Sequence, residues 1–467
     1  MGRKNSVGIE ALKKSHTALG VITVEYPAFN LPIVGGSLLI AAIAIFHVFI
    51  AQFSVGSGVL LAFGERRANR EGDADTIAFL RKYSYAVLLI PYVVGTITGV
   101  GIWFVISVVH PRALSAMIHL FVWAWAAEWT MFVVDIAAIY LYAHTWDRAR
   151  PAAHNAIAWI FAGSSTVTLI LINGILSFML TPGGWQPLAE HGFWTAFFNP
   201  SFWPTTLARF FVSLALAGAG AIALLAIARN IPSATREKMT KLAYTLMLPT
   251  LLCPVLLAWT FLVMPQQSQQ FVMGGAVAMM MFLAVGAVCF AILALAALIA
   301  MVRREYTPSV LAASLLCLFA FLSYASFEFV REGVRKPYVI EGFMYSTGVT
   351  TPLAKGLDRR ANLTLLSERG VLSAAPWAVP AGKKISELDP MGKGRAVFVA
   401  ACAVCHQSRT GYNALQPLVR YWTGPMIRSY LDTMHEQKPM MPPFPGTDDE
   451  KDALTVFVTS LTQRGSP

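Results

Sequence analysis

Residues 33–63 read IVGGSLLIAAIAIFHVFIAQFSVGSGVLLAF, a run with no Asp, Glu, Lys or Arg anywhere in it. A helix rises about 1.5 Å per residue, so roughly 20 apolar residues suffice to cross the hydrocarbon of a bilayer. The run meets that length, and seven more like it follow near 84–109, 113–143, 155–181, 205–228, 242–264, 270–302 and 308–330. Composition agrees: of 467 residues, 56% are hydrophobic and only 13% charged, whereas a water-soluble domain carries about a quarter charged residues. The expected fold is all-α, a polytopic membrane bundle of about eight helices followed by a small α-helical domain.

Loop charges set the expected orientation, because Lys and Arg accumulate on the cytoplasmic side of short connections. The loops after spans one, three, five and seven hold Arg66, Arg67, Arg70, Arg81, Lys82, Arg148, Arg150, Arg229, Arg236, Lys238, Lys241, Arg303 and Arg304, while the other loops hold only Arg112. Both termini are therefore expected on the outer, periplasmic face of a bacterial inner membrane. Against this stand Arg3, Lys4, Lys13 and Lys14 in the N-terminal arm, residues 1–32, which also carries His16. The first thirty residues lack an apolar core before a small-residue cleavage site, so the first span is expected to direct insertion. The net charge of +11 is ordinary for basic inner loops, and nothing in it points to nucleic acid.

Polar residues, Pro and Gly rise after the last span, which divides the chain into a membrane part at 33–334, a linker at 335–390 and a soluble domain at 391–467. The last contains AACAVCHQS at 400–408. Two thiols at this spacing can each form a thioether to a haem vinyl group, and the adjacent histidine then ligates the iron; the plain alternative is a cysteine pair beside a surface histidine. Cys253, Cys289 and Cys317 sit singly in apolar runs and read as small buried hydrophobes. GKGRAVFVAACAVCH, with MMPPFPGTDDEKDALTVFVTSL further on, resembles a class I cytochrome c. That likeness implies covalent haem c on Cys402 and Cys405, with His406 as one axial ligand and Met441 as the other. Met440 or His435 are the alternatives to Met441. A thioether ligand raises the reduction potential, as suits an electron carrier.

Ionisable groups inside the spans are costly and are functional candidates by default. His47 lies in the first span, and Glu332 closes the eighth. Glu128 and Asp135 are seven apart in the third, WAWAAEWTMFVVDIA, and so share a helix face. A carboxylate pair can carry protons, and a buried histidine can ligate haem; equally, such a histidine can hydrogen-bond a neighbouring helix, and an acid at a helix end can be interfacial.

The membrane part resembles subunit I of the cytochrome bd oxidases. HVFIAQFSVG, the doubly acidic third span followed by Trp146, Asp147 and Arg148, and EGVRKPYVIEG carry the likeness, which runs over roughly 33–345 and includes Asn173 and the FNP at Phe198. It implies that His47 is an axial ligand of the gas-reacting haem, b or d, and that Glu332 ligates a neighbouring high-spin b haem with Arg335 nearby. Glu128 would lie at the dihaem site and Asp135 on the proton route. A partner subunit II is also implied.

The departures bear on the electron donor. Where the family has a histidine for a low-spin b haem, this chain reads TTLARFFVSLALAG, with Arg209 and no histidine; Met279, Met280 and Met281 are candidates for that haem's methionine, and His110 or His119 for a replacement ligand. The family's long quinol-binding loop is reduced to MPQQSQQ, and the place of a ninth helix is taken by the CxxCH domain. The reading is an oxidoreductase that takes electrons from a periplasmic carrier through haem c and reduces oxygen, with nitric oxide as the other gas. Two alternatives stand beside it: quinol oxidation with electrons leaving through haem c, and a non-catalytic conduit within a larger respiratory complex. The remaining histidines, His144 and His154 near an inner loop and His191 in an outer one, carry little.

Overall fold

The computed structural model describes residues 26–187, 192–303, 308–354, 357 and 359–462; Arg3, Lys4, Lys13, Lys14, His16, His191 and Arg304 lie outside them. Among the described residues eight helices are long and apolar enough to cross a membrane: α1 (Gly36–Glu71), α2 (Ala74–Val109), α3 (Pro111–His144), α4 (Pro151–Phe178), α5 (Phe202–Ile227), α6 (Ser233–Val263), α7 (Val277–Val302) and α8 (Val310–Gly333). Several outrun the apolar segments that announce them. α1 continues two turns past Phe63 through Glu65, Arg66 and Arg70, and α6 begins at the polar stretch SATREKMTK. Hydropathy marks what sits in hydrocarbon, whereas the backbone ladder runs on into water until a cap stops it.

Caps and breaks are local. Gly72 turns left-handed at φ 63° and its N–H bonds to the Ala68 carbonyl, ending α1; Asp73 then caps α2 by accepting from the Thr76 N–H at 2.9 Å. A π turn at Ile90–Gly95, containing Pro91, interrupts α2, and α3 kinks at Phe121.

α1 is the central helix, packed on α2, α4 and α5 and touching α8. Small residues allow it: a Cβ on Gly56 would lie 1.8 Å from the Ser213 carbonyl oxygen of α5, and one on Gly58 would lie 2.9 Å from the Ala162 Cα of α4. Helices in lipid gain contact by this close approach because burial from water does not drive them together. The inner half of the bundle closes over Leu61, Phe79, Tyr83, Ile139, Tyr142, Phe161 and Ile222.

Beyond α8, strands β1 (Tyr338–Ile340) and β2 (Met344–Tyr345) pair antiparallel. They insert Ile340 and Met344 into an outer cluster with Phe121, Phe178, Trp185 and Phe202. The C-terminal helices α9 (Pro390–Ala401), α10 (Gly424–Gln437) and α11 (Asp448–Thr462) have their own core of Val397, Phe398, Ile427, Leu454 and Phe457. Glu450 of α11, 4% exposed, ties the preceding segment to this core by accepting the backbone N–H of Val371 at 2.7 Å and of Leu372 at 3.0 Å.

Glu450→Ala strands two buried N–H groups, at a cost of about 1–3 kcal/mol each. The expected outcome is earlier protease cleavage of the C-terminal helices on a temperature ramp of the full-length protein, with α1–α8 unaffected; cleavage at the wild-type temperature would refute the assignment.

Candidate functional site

His47 projects from α1 toward the π turn of α2. Its Nδ1 lies 3.0 Å from the carbonyl of Gly95, the last residue of that turn, and 3.1 Å from Thr98 Oγ1. A carbonyl only accepts, so Nδ1 carries the proton and Nε2 keeps its lone pair, the form in which imidazole ligates a metal. A Cβ on Gly99 would approach His47 Cε1 to 2.9 Å, so the glycine leaves the ring its seat.

Glu332 stands at the C-terminal end of α8, ion-paired to Arg335 and 3.6 Å from Lys336 Nζ. Arg335 is 5% exposed and also donates to the Val339 carbonyl at 2.7 Å. The Glu332 side chain remains 36% exposed, so the carboxylate is anchored without being covered. His47 and Glu332 belong to antiparallel helices joined lower down. Gln52 Nε2 donates to Tyr324 Oη at 3.3 Å, and the Phe49 and Phe321 rings meet edge-on at 5.2 Å. Both residues lie on the outer side of that contact, about 7 Å and 12 Å along their helices by rise.

Asp135 is buried and accepts from Ser164 Oγ and, at 3.1 Å, from Ser165 Oγ, both on α4. Glu128, two turns outward on the same face, is half-buried, and among the described residues no hydrogen bond or ion pair reaches it. It sits beside a tryptophan cluster in which Trp103 meets Trp125 at 4.9 Å and Trp129 at 6.3 Å.

The CxxCH segment follows α9, with Cys402 at its C-cap. Both thiols are free, as are the other described cysteines. Burial pushes the Cys402 thiol up to about 12 and holds the His406 imidazole below its ordinary range. His406 Nδ1 faces the Asn413 carbonyl at 3.1 Å, and Asn413 Nδ2 donates back to the Cys405 carbonyl at 2.9 Å. Nε2 of this histidine is therefore also free to ligate. Tyr430 Oη lies 3.7 Å from Met441 Sδ, and His435 Nδ1 is spent on the Met441 carbonyl at 2.6 Å. No described cluster of three or more His, Cys, Asp or Glu could hold a bare metal ion.

Two buried ion pairs join residues far apart in the chain. Glu328 pairs with Arg209 of α5 at 2.6 Å and with Arg331 at 2.7 Å, the first pair only 11% and 12% exposed. Glu65 pairs with His154 at 2.8 Å on the inner side, both nearly buried. His110, considered only as a spare ligand, is pushed down to about 4 by burial, with Lys336 adding to the effect. Arg209 and Glu328 were each readable as buried charges, but their partnership spans 119 residues. Met279, a candidate ligand, is 3% exposed and packed against Gly333, whereas Met280 and Met281 are exposed.

A family model described as cytochrome bd terminal oxidase subunit I matches residues 37–270, half of the chain; α7, α8 and the C-terminal helices lie beyond the match. A Bacillus subtilis (strain 168) protein described as a cytochrome bd menaquinol oxidase subunit I is 24% identical over 204 residues, 42% of this chain and 44% of that relative. The chain thus spans less than half the length of the curated relative it matches. The solved bd oxidase of Geobacillus thermodenitrificans superposes with a TM-score of 0.58 at 15% identity, covering 73% of this chain and 96% of that one, a likeness of fold.

Removing one member of a buried ion pair costs about 3–5 kcal/mol. Glu328→Gln leaves two arginines facing each other and is expected to destabilise the solubilised protein by that amount, whereas Arg209→Met leaves Glu328 its Arg331 partner and costs less. Thermal unfolding of the two variants checks the order, and equal midpoints would show that the arginines do not share one carboxylate.

Proposed function

Since the chain belongs to the cytochrome bd terminal oxidase subunit I family, we propose that it is a haem-bearing respiratory oxidoreductase that reduces oxygen, drawing electrons from a periplasmic carrier by way of its own C-terminal cytochrome c domain. The observation that carries this reading is His47: within the matched residues, its ring is held by the Gly95 carbonyl with Nε2 left for iron. Haem supplies reversible one-electron chemistry and, where one axial position is open, a place for a gas to bind.

Each residue has its part in this proposal. His47 and Glu332 would hold haem in the bundle, b-type haem with haem d as the other option at the gas site. Arg335 fixes the Glu332 carboxylate by its ion pair. Glu128 and Asp135 hand protons inward along α3, Asp135 poised by Ser164 and Ser165 and Glu128 unencumbered. Cys402 and Cys405 attach haem c, with His406 and Met441 on its iron. Buried Arg209 and Glu328 satisfy each other at the stretch that lacks a low-spin haem histidine. The C-terminal domain at 391–467 and the N-terminus face the periplasm, the bundle at 33–334 sits in the inner membrane, and a subunit II covers part of its apolar flank. Nitric oxide is the alternative gas.

A reduced-plus-carbon-monoxide minus reduced difference spectrum of the purified membrane complex tests the reading. A shifted b or d band is expected, lost in His47→Ala and retained in Cys402→Ser/Cys405→Ser, which loses covalent haem instead. A spectrum without any shift would mean six-coordinate iron throughout and would return the chain to quinol oxidation or electron conduction.

A further inference from the structure

The segment around the CxxCH is joined to the bundle on two sides. On the first, residues just before and at the start of α1 receive it. Ile33 and Gly411 form a parallel bridge, and the Tyr412 N–H donates to the Ile33 carbonyl at 2.7 Å. Gln407 Nε2 donates to Asn30 Oδ1 at 3.0 Å, and Ser37 Oγ donates at 2.7 Å to the carbonyl of Val404, the residue between the two cysteines. Gly411 has φ +105°, and a Cβ there would fall 2.3 Å from the Ile33 carbonyl oxygen, so this approach requires glycine. Gln407 is 6% exposed; its polar end is buried because Asn30 satisfies it.

On the second side, the α6–α7 connection receives the loop that carries Met441. Gln267 Nε2 donates to the Pro439 carbonyl at 3.0 Å. Met440 packs against the cluster of Phe271, Met279, Val330 and Val334. Met279 in turn lies over Gly333, where a Cβ would meet its Sδ at 2.2 Å, and Gly333 adjoins Glu332. The histidine side and the methionine side of the attachment site are thus both seated on the bundle. By helix rise, Ser37 stands about 15 Å from the level of His47.

We infer that residues 30–37 together with Gln267 and Met279 form a built-in receptor that fixes the CxxCH domain on its own bundle, with Asn30, Ser37 and Gln267 as positioning residues. A haem on Cys402, Cys405 and His406 then exchanges electrons within one chain, neither swinging on a tether nor serving a second copy. This rests on the haem assignments proposed above. The step is a single outer-sphere transfer: one ferrous iron becomes ferric, one ferric iron in the bundle becomes ferrous, and no covalent bond forms or breaks.

The test uses the full-length oxidised protein with its membrane partner and a soluble ruthenium photoreductant that supplies the electron. The haem c band and the bundle haem band are followed after a flash. Decay of reduced haem c in step with bundle reduction, at a rate independent of protein concentration, is expected. Asn30→Ala/Ser37→Ala should slow that phase by roughly tenfold to a hundredfold, the cost of an ångström-scale misplacement of reacting centres, with the haem c spectrum unchanged because neither residue belongs to the CxxCH domain. If that variant fails to assemble, Gln267→Ala on the other seam carries the same expectation. A rate proportional to protein concentration, the wild-type rate in the variants, or no transfer would each overturn the inference. A carbon-monoxide-silent protein that still shows the concentration-independent phase would sink the oxidase reading and leave the receptor standing.

Discussion

A carboxylate carried into hydrocarbon keeps its charge only when the protein supplies the partners that water would have given, and Glu328 takes them from Arg209 at 2.6 Å and Arg331 at 2.7 Å. That exchange ties α8 to α5. Tyr324 extends it, donating to Glu328 at 3.3 Å while receiving Gln52 of α1 at 3.3 Å. Three helices are thereby pinned at one level, and the residues outward of it, His47 on α1 and Glu332 on α8, inherit their heights. An apolar replacement of such a network often costs nothing in stability. Its consequence is register: a one-residue slide of α8 would carry Glu328 and Arg331 together away from the Arg209 guanidinium of α5.

A second constraint sets how the polar groups of α1 and α3 differ. The π turn of α2 brings the Gly95 carbonyl to His47, which removes Nδ1 from use and leaves Nε2. Asp135 is satisfied by two serines of α4, and Glu128 by no described side chain. Two acids on one face of one helix therefore have different surroundings, one accepting from two serines through Oδ1, the other flanked by tryptophans.

What was legible in the sequence follows from the range of the interactions. Eight spans could be read because the hydrophobic requirement of a bilayer is imposed residue by residue, and the CxxCH motif because its three residues fall within five positions of the chain. The Asp135 and Glu128 face could be read from helical periodicity. Arg209 with Glu328, Glu65 with His154, and Gln407 with Asn30 could not: the last pair lies 377 residues apart, and no local pattern announces that two chain segments will meet. The ends of α1 and α6 escaped for another reason, since helices extend past the apolar window on capping and ion pairs such as Lys238 with Glu71 at 2.5 Å and Asp73 at 2.6 Å.

The short α6–α7 connection and the C-terminal helices are best understood as one arrangement. Gln266–Gln270 makes a single helical turn, and the π turn at Phe271–Gly275 returns the chain directly into α7. The space above this return is filled by Pro439 and Met440. A longer connection would have to pass through that volume and would displace Met440 from the cluster over Met279 and Val334. The glutamine-rich turn is polar where it faces the Pro439 carbonyl and apolar, through Phe271, where it enters the bundle, so the same few residues close the membrane helices and present a hydrogen-bond donor to the segment between the helices that follow. Shortening this loop and seating a domain upon it are thus structurally coupled, because each occupies the room the other leaves.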